Sequence, residues 1–312
     1  MLNHGYRLSR VALLCLLPMA AMAAKMTFVM VPKNSHAYYQ GCYDGFAAAG
    51  GYYDVNVEKM DPEASLPLQV KAIHDLIARH VDGIAVAAID DAGLAPVIAE
   101  ATQAGIKVVA FDAPAPTSVA LSYIGTNNWL AGYEAGARFV RLMQGRGSMV
   151  ILQAGLNAAN LNQRTAGFKA ALAKLAPRIK IQEVVDVDPD FATAVSKSEA
   201  MLDKYPNLGG FFSVSSQGAP AAASVLVKQN RAGQVKVAGF DDVDATLEAI
   251  RNGSIEFSFV QKTFKMGWLS AEALFDATKG EHLQKINYTR CQFVTTANVN
   301  HYLADMKKEV VK

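Results

Sequence analysis

The chain is 312 residues long, 51% hydrophobic and 19% charged, with a formal net charge of +2. That length suffices for two domains with sizeable cores, and the composition excludes disordered and fibrous classes. So small a net charge gives no support to a nucleic-acid or anionic-membrane partner.

Residues 1–23 read as a secretory signal. Arg7 and Arg10 form the positive start, "VALLCLLPMAAM" the apolar core, and Ala21-Met22-Ala23 an A-x-A cleavage site. The apolar run falls short of the roughly 18–20 residues that span a bilayer. Cys15 lies inside that run behind leucines rather than small residues, which speaks against a lipoprotein site. The expectation is an exported, periplasmic, monomeric protein whose mature chain begins near Ala24. Without Arg7 and Arg10 its charges balance, 28 basic against 28 acidic. Two cysteines remain, Cys42 and Cys291, and an oxidising compartment permits either a disulfide between them or two buried thiols.

From Met26 the elements alternate. "MTFVMV" reads as a strand, and "NSHAYYQGCYDGF" leads into the first helix with His36, Tyr38 and Tyr39 at the strand exit. "YDVNVEKM" is a second strand, followed by the helix "LPLQVKAIHDLIARH", where Leu66, Val70, Ile73 and Ile77 mark one face. "GIAVAA" and "KVVAFD" follow, the latter ending on Asp112. A helix around Trp129–Met143 separates this pass from a second one, which opens at "SMVILQAG". "IKIQEVVDV", "GFFSVSS", "QVKVAGFD" and "IEFSFVQ" complete nine candidate strands, with helices such as "FATAVSKSEAML" and "DATLEAIRNG" between them. Such alternation predicts parallel sheets covered by helices on both faces, an α/β fold. Two passes predict two doubly wound lobes with a cleft at the carboxyl ends of their strands.

Polar and aromatic residues collect at those ends: His36, Tyr38 and Tyr39; Asp112; Asn160, Asn162 and Arg164; Phe191; Ser215 and Ser216; Asp241; and Gln261. Each also has a plainer reading. The tyrosines fit a hydrophobic staple, Phe191 a helix-packing residue, and Asp112 a turn before "APAP". Asp241 fits a helix cap, although a cleft position for it, with a later acid capping the helix, is the preferred expectation. Arg164 fits a structural ion pair, and Asn162 a solvated helix position.

Other chemistries lack their signatures. No GxGxxG follows the first strand, no GxxxxGK[ST] occurs, and no GxSxG elbow or Cys/His pair is apparent. The histidines have no metal spacing, and Asp186, Asp188 and Asp190 in "DVDPD" make too short a run for a calcium loop. No enzyme, cofactor or metal is expected.

"VAGFDDVDATLEAIRNG", "GIAVAAID", "YIGTNNWLAGYEAG" and the ending "FVTTANVNHYL" together resemble the type I periplasmic sugar-binding proteins. That family shares its fold with the ligand-binding core of LacI-type repressors. The resemblance runs from about Met26 to Tyr302. It implies an aromatic pair at Tyr38 and Tyr39 stacking on a sugar ring, an opposing aromatic at Phe191, and polar ligand contacts from Asp112, Arg164, Asp241 and Gln261. It also implies departures from the ribose type. Asp112 is followed by Ala113 rather than arginine, Asn162 stands for a second arginine, Ser215-Ser216 for an asparagine-aspartate pair, and His36 for an asparagine. Losing charged bidentate donors points to a ligand other than ribose: a polyol, a deoxysugar or a smaller or less polar molecule. A small neutral monosaccharide or polyol is the central expectation. The implied lobes are residues 24–126 with 262–288, and residues 127–261 with 289–312. Their hinge crossings would lie near Thr126–Asn128, Gln261–Thr263 and Asn287–Gln292. The implied partner is the permease of an ABC importer or, alternatively, a membrane histidine kinase or chemoreceptor. A repressor is excluded, because no DNA-binding headpiece precedes the core.

Overall fold

The computed structural model describes Met1 and residues 24–187 and 190–309. The signal segment lies almost wholly outside the described residues, as does Asp188 of "DVDPD". No helix among the described residues is long and apolar enough to cross a membrane.

Two six-stranded sheets form the molecule. The first contains β1 (Thr27–Val31), β2 (Asn56–Lys59), β3 (Gly83–Val86), β4 (Lys107–Phe111), β5 (Tyr123–Thr126) and β11 (Ile286–Thr289), in the order β11-β5-β4-β3-β1-β2. The second contains β6 (Gly147–Gln153), β7 (Ile179–Asp186), β8 (Gly210–Ser213), β9 (Lys236–Phe240), β10 (Phe257–Val260) and β12 (Gln292–Thr295), in the order β12-β10-β9-β8-β6-β7. All pairings are parallel except β10 with β12. β3, β8 and β10 are buried along their whole length because helices cover both faces, which is why they read as unbroken apolar runs. Both sheets repeat one winding, with the order reversing beside the first strand of each half. Ligand crevices form at such switch points, beyond the carboxyl ends of the strands.

Nine strands were legible, and three were not. β5, β11 and β12 are four-residue strands beside the segments that pass from one sheet to the other. The chain leaves the first sheet after Thr126 and enters α4 (Asn128–Leu142), which packs on α5 (Ala159–Leu175) in the second half. It returns after Val260 through α9 (Thr263–Thr278), which packs on α1 (Ala37–Tyr53), and crosses again between Thr289 and Gln292.

Those two helix pairs meet by backbone contact. A Cβ on Gly267 would fall 1.7 Å from the Cys42 carbonyl oxygen, and one on Gly132 would fall 2.1 Å from that of Arg164. Gly132 thereby fixes the backbone of a candidate site residue. Gly132→Ala must push α4 and α5 apart, and overpacking of this kind costs about 1–3 kcal/mol or more. Chemical denaturation should show that loss; an unchanged midpoint would mean the helices part freely.

The cysteines are not bonded. Cys42 is buried in the first half among Tyr39 and Phe46, while Cys291 packs against the aromatic core of the second half. The disulfide alternative fails because each sulfur belongs to a different core.

Candidate functional site

A cavity of about 550 Å³ opens where the carboxyl ends of the two sheets face each other. That is within the usual range for small-molecule sites. Ten of the twelve strand-exit residues line it: His36, Tyr38, Tyr39, Asp112, Asn160, Arg164, Ser215, Ser216, Asp241 and Gln261.

Asp112 and Asp241 hold matching places, one residue past β4 and one past β9. Both adopt left-handed backbone, with φ of 56° and 69°. Aspartate tolerates this conformation better than most residues, but it still costs stability, and such strain gathers at binding sites. The bend turns each carboxylate out of its sheet into the cleft.

Asp112 is braced from the first helix. Tyr38 and Tyr39 each donate a phenolic hydrogen bond of 2.8 Å, one to each carboxylate oxygen. The rings meet edge to face, 5.1 Å apart at 87°, and Tyr39 packs its side on Phe111. Burial, reinforced by the Asp112 charge, pushes both phenols well above their ordinary pKa, so they stay protonated donors. The pair therefore forms one wall of the cavity and the clamp on Asp112 at once.

Asp241 is 5% exposed, and Gln261 Nε2 donates to its Oδ1 at 2.9 Å. Burial lifts its pKa from 3.8 to about 7, opposed by the Arg164 charge and the Gln261 hydrogen bond. It is no helix cap. α8 (Asp244–Arg251) starts after Val243 with no side-chain cap bond, so the expected capping acid is also missing; Asp244 stands inside the first turn instead.

Arg164 is 1% exposed. Its Nε donates to Asn128 Oδ1 at 2.8 Å, its Nη1 to the Val214 carbonyl at 2.9 Å, and its guanidinium lies 4.3 Å from the Phe240 ring centroid. Its Nη2 is buried with no hydrogen-bond partner, and so is Ser215 Oγ. A buried donor without a partner is costly, and such a group beside a cavity marks where a ligand atom completes the bonding.

Two expected residues stand elsewhere. Phe191 begins α6 (Phe191–Lys204) behind the Asp190 cap, is 39% exposed and does not line the cavity. Asn162 faces away because helical spacing brings Asn160, Leu161 and Arg164 to the cavity and turns residue 162 aside. Its amide instead ties Gln153 to the Leu156 carbonyl at 2.7 and 2.8 Å. No aromatic from the second half lines the cavity among the described residues; Leu156 and Leu161 supply apolar wall there.

Lys33 and Gln217 were not foreseen. Lys33 Nζ reaches across to Asn160 Oδ1 at 3.0 Å, and burial lowers its pKa to about 8 against the attraction of Asp112. His36 caps α1, its Nδ1 accepting the Tyr38 N–H at 3.2 Å. The proton therefore sits on Nε2, which lies 2.5 Å from the Gln217 amide, and the amide oxygen is the acceptor that satisfies it. Both contacts span the cleft. A lysine beside two polar residues in a loop gives no sign in sequence that the fold will bury it.

The described residues contain no cluster of side chains suited to a metal ion. The periplasmic binding protein domain model matches residues 27–282. A solute-binding protein of an ABC transporter from Burkholderia graminis C4D1M, solved with D-arabinose, is 35% identical, with 89% of this chain and 98% of that one covered and a TM-score of 0.86. A D-ribose/D-allose-binding protein of Pseudomonas aeruginosa is 26% identical over 199 residues, which span 62% of each chain. A chain from the complex of XylFII with LytSN is 25% identical, with 88% and 98% covered and a TM-score of 0.83. With two like-wound sheets, three crossings and a charged cleft between them, the chain belongs to the type I periplasmic sugar-binding protein family.

Proposed function

We propose that the protein captures one small hydroxylated molecule, a monosaccharide or polyol, in the cavity between its lobes and delivers it to an ABC importer. On this reading the lobes are built on the two sheets, with the last boundary at the crossing after Thr289, the final residue of β11. The single observation behind this reading is the pairing of unmatched donors with carboxylates. Arg164 Nη2 and Ser215 Oγ have no partner, while Asp112 and Asp241 project acceptors into the same space. A polyhydroxylated ring or chain, whose hydroxyls both donate and accept, satisfies all four. Tyr38, Leu156 and Leu161 give the apolar wall its C–H faces need. The role is binding rather than catalysis, and it needs no cofactor.

Capture follows from the crossings. The lobes open to admit the ligand and close on it, and the ligand favours the closed form only by contacting it better. The permease then meets both lobes together. On this reading the mature protein begins near Ala24 and works in the periplasm as a monomer. The similarity to the XylFII chain supports a second reading, in which the closed form is presented to a membrane histidine kinase or chemoreceptor. Capture of the closed protein by permease or by kinase, each in detergent, separates the two.

A thermal-shift screen over D-arabinose, D-ribose, D-xylose, xylitol and amino acids tests the ligand class. Ligand at a hundred times its Kd stabilises by about 2.7 kcal/mol, a shift of several degrees. Response to amino acids alone, with none to any carbohydrate or polyol, would refute the reading.

A further inference from the structure

The charged groups of the pocket are held from the hinge. Thr126, 2% exposed at the end of β5, donates through Oγ1 to Gln261 Oε1 at 2.7 Å. Gln261 in turn donates to Asp241 at 2.9 Å. The carboxylate needs a donor, so the amide must turn its nitrogen to Asp241 and its oxygen to Thr126. That fixes the hydroxyl proton of Thr126, and the Cys291 thiol, 3.7 Å from Oγ1, then serves as donor to the hydroxyl. Side chains from all three crossings thus meet in one directional chain ending on a pocket carboxylate. Two residues on, Asn128 receives Arg164 Nε at 2.8 Å and donates to the Tyr123 hydroxyl at 3.1 Å.

We propose that the crossing Thr126–Asn128 positions the pocket, Thr126 setting Asp241 through Gln261 and Asn128 setting Arg164 directly. Part of this rests on the reading that Asp241 receives the ligand. Neither Thr126 nor Asn128 lines the cavity. Both move with the hinge, so a rotation that opens the lobes also reorients the groups that hold the ligand.

The Thr126 arm has a titration signature. Without the hydroxyl, Gln261 loses the contact that fixes its amide, and Asp241 loses a donor that favours its charged form. The groups facing Asp241 are Arg164 from α5, Asp242 beside it and Asp112 from the first lobe. Tyr38, Tyr39 and Cys42 of α1, and Cys291 of the third crossing, also feel its charge. Thr126→Val leaves all of these in place, so a shift at Asp241 reports the relay.

The test is the ¹³C-detected titration of the Asp241 carboxyl in ligand-free wild type, Thr126→Val and Thr126→Ser. Wild type should titrate near 7, Thr126→Ser with it, and Thr126→Val about one unit higher, the scale of one charge-assisted hydrogen bond. At pH 7 that shift lowers affinity for D-arabinose roughly five-fold, a loss that fades above about pH 9, where both carboxyls are ionised. If Thr126→Val does not fold, Thr126→Ala serves in its place. An unmoved Asp241 titration in the folded variant overturns the relay, as does an affinity loss of equal size at every pH. A wild-type protein that ignores D-arabinose and all other carbohydrates refutes the sugar reading instead, while the carboxyl titration still decides the relay.

Discussion

Arg164→Lys should leave the protein folded and weaken ligand binding at least about ten-fold, because it removes the unmatched Nη2 and keeps the charge. Arginine here makes two fixed hydrogen bonds, lies against Phe240 and still has one donor left over. Lysine is a compact point charge that cannot reproduce the planar fork or the ring contact. A charge-assisted hydrogen bond contributes about 1.5–3 kcal/mol, which is roughly ten- to a hundred-fold in Kd. Arg164→Met goes further. It strands the buried Asn128 and Val214 oxygens, at about 1–3 kcal/mol each, and removes the cation that restrains Asp241. That variant should lose both stability and measurable binding. Calorimetric titration of Arg164→Lys beside a melt decides the matter: wild-type affinity would mean that Nη2 does not meet the ligand and that Arg164 is a structural residue.

The contrast between what the sequence disclosed and what it hid follows from the range of the interactions. Strand exits were legible because apolar runs end abruptly on polar residues, so Asp112, Asp241, Arg164 and Gln261 could be selected one by one. Their division of labour was hidden, because it depends on pairs far apart in the chain. Gln261 was selected as a ligand contact and lines the cavity; that its amide also joins Thr126 to Asp241 was not visible in the sequence. Tyr38 and Tyr39 suggested a stacking pair; their shared grip on Asp112 appears only once α1 is laid beside β4. Phe191 was misplaced for a local reason: it follows its strand by several residues, and the Asp190 cap begins the helix with the ring turned outward. The crossing strands escaped notice because "YIGT", "INYT" and "QFVT" mix polar with apolar residues and form no apolar run.

Asp241→Asn should give a ligand-free protein that is more stable than wild type near neutral pH and binds less well. Burial raises the folded pKa of Asp241 to about 7, against an unfolded value near 3.8. A raised acid pKa means that the fold prefers the protonated form. The associated stability is fully present below about pH 4 and is lost as pH rises through 7, amounting to about 4 kcal/mol at most. Asparagine is neutral throughout and still accepts from Gln261, so the two melts should coincide near pH 4 and separate toward pH 7.5 in favour of the variant. Binding runs the other way. The carboxylate forms across the same interval, and accepting two ligand hydroxyls it should strengthen affinity by about ten- to a few hundred-fold over the neutral side chain at pH 7.5. The ratio should shrink toward one at pH 5, where wild type is protonated too. Lys33 begins to lose its proton only near pH 8, and it does so in both proteins, so it cancels from the comparison. A variant with lower stability and unchanged affinity would make Asp241 a structural acid. Equal pH slopes in the two proteins would place the neutral-pH titration on another group. The expected pattern, strain in the empty cleft relieved by the ligand that needs the charge, ties the left-handed backbone at Asp241 and its buried carboxylate to one purpose.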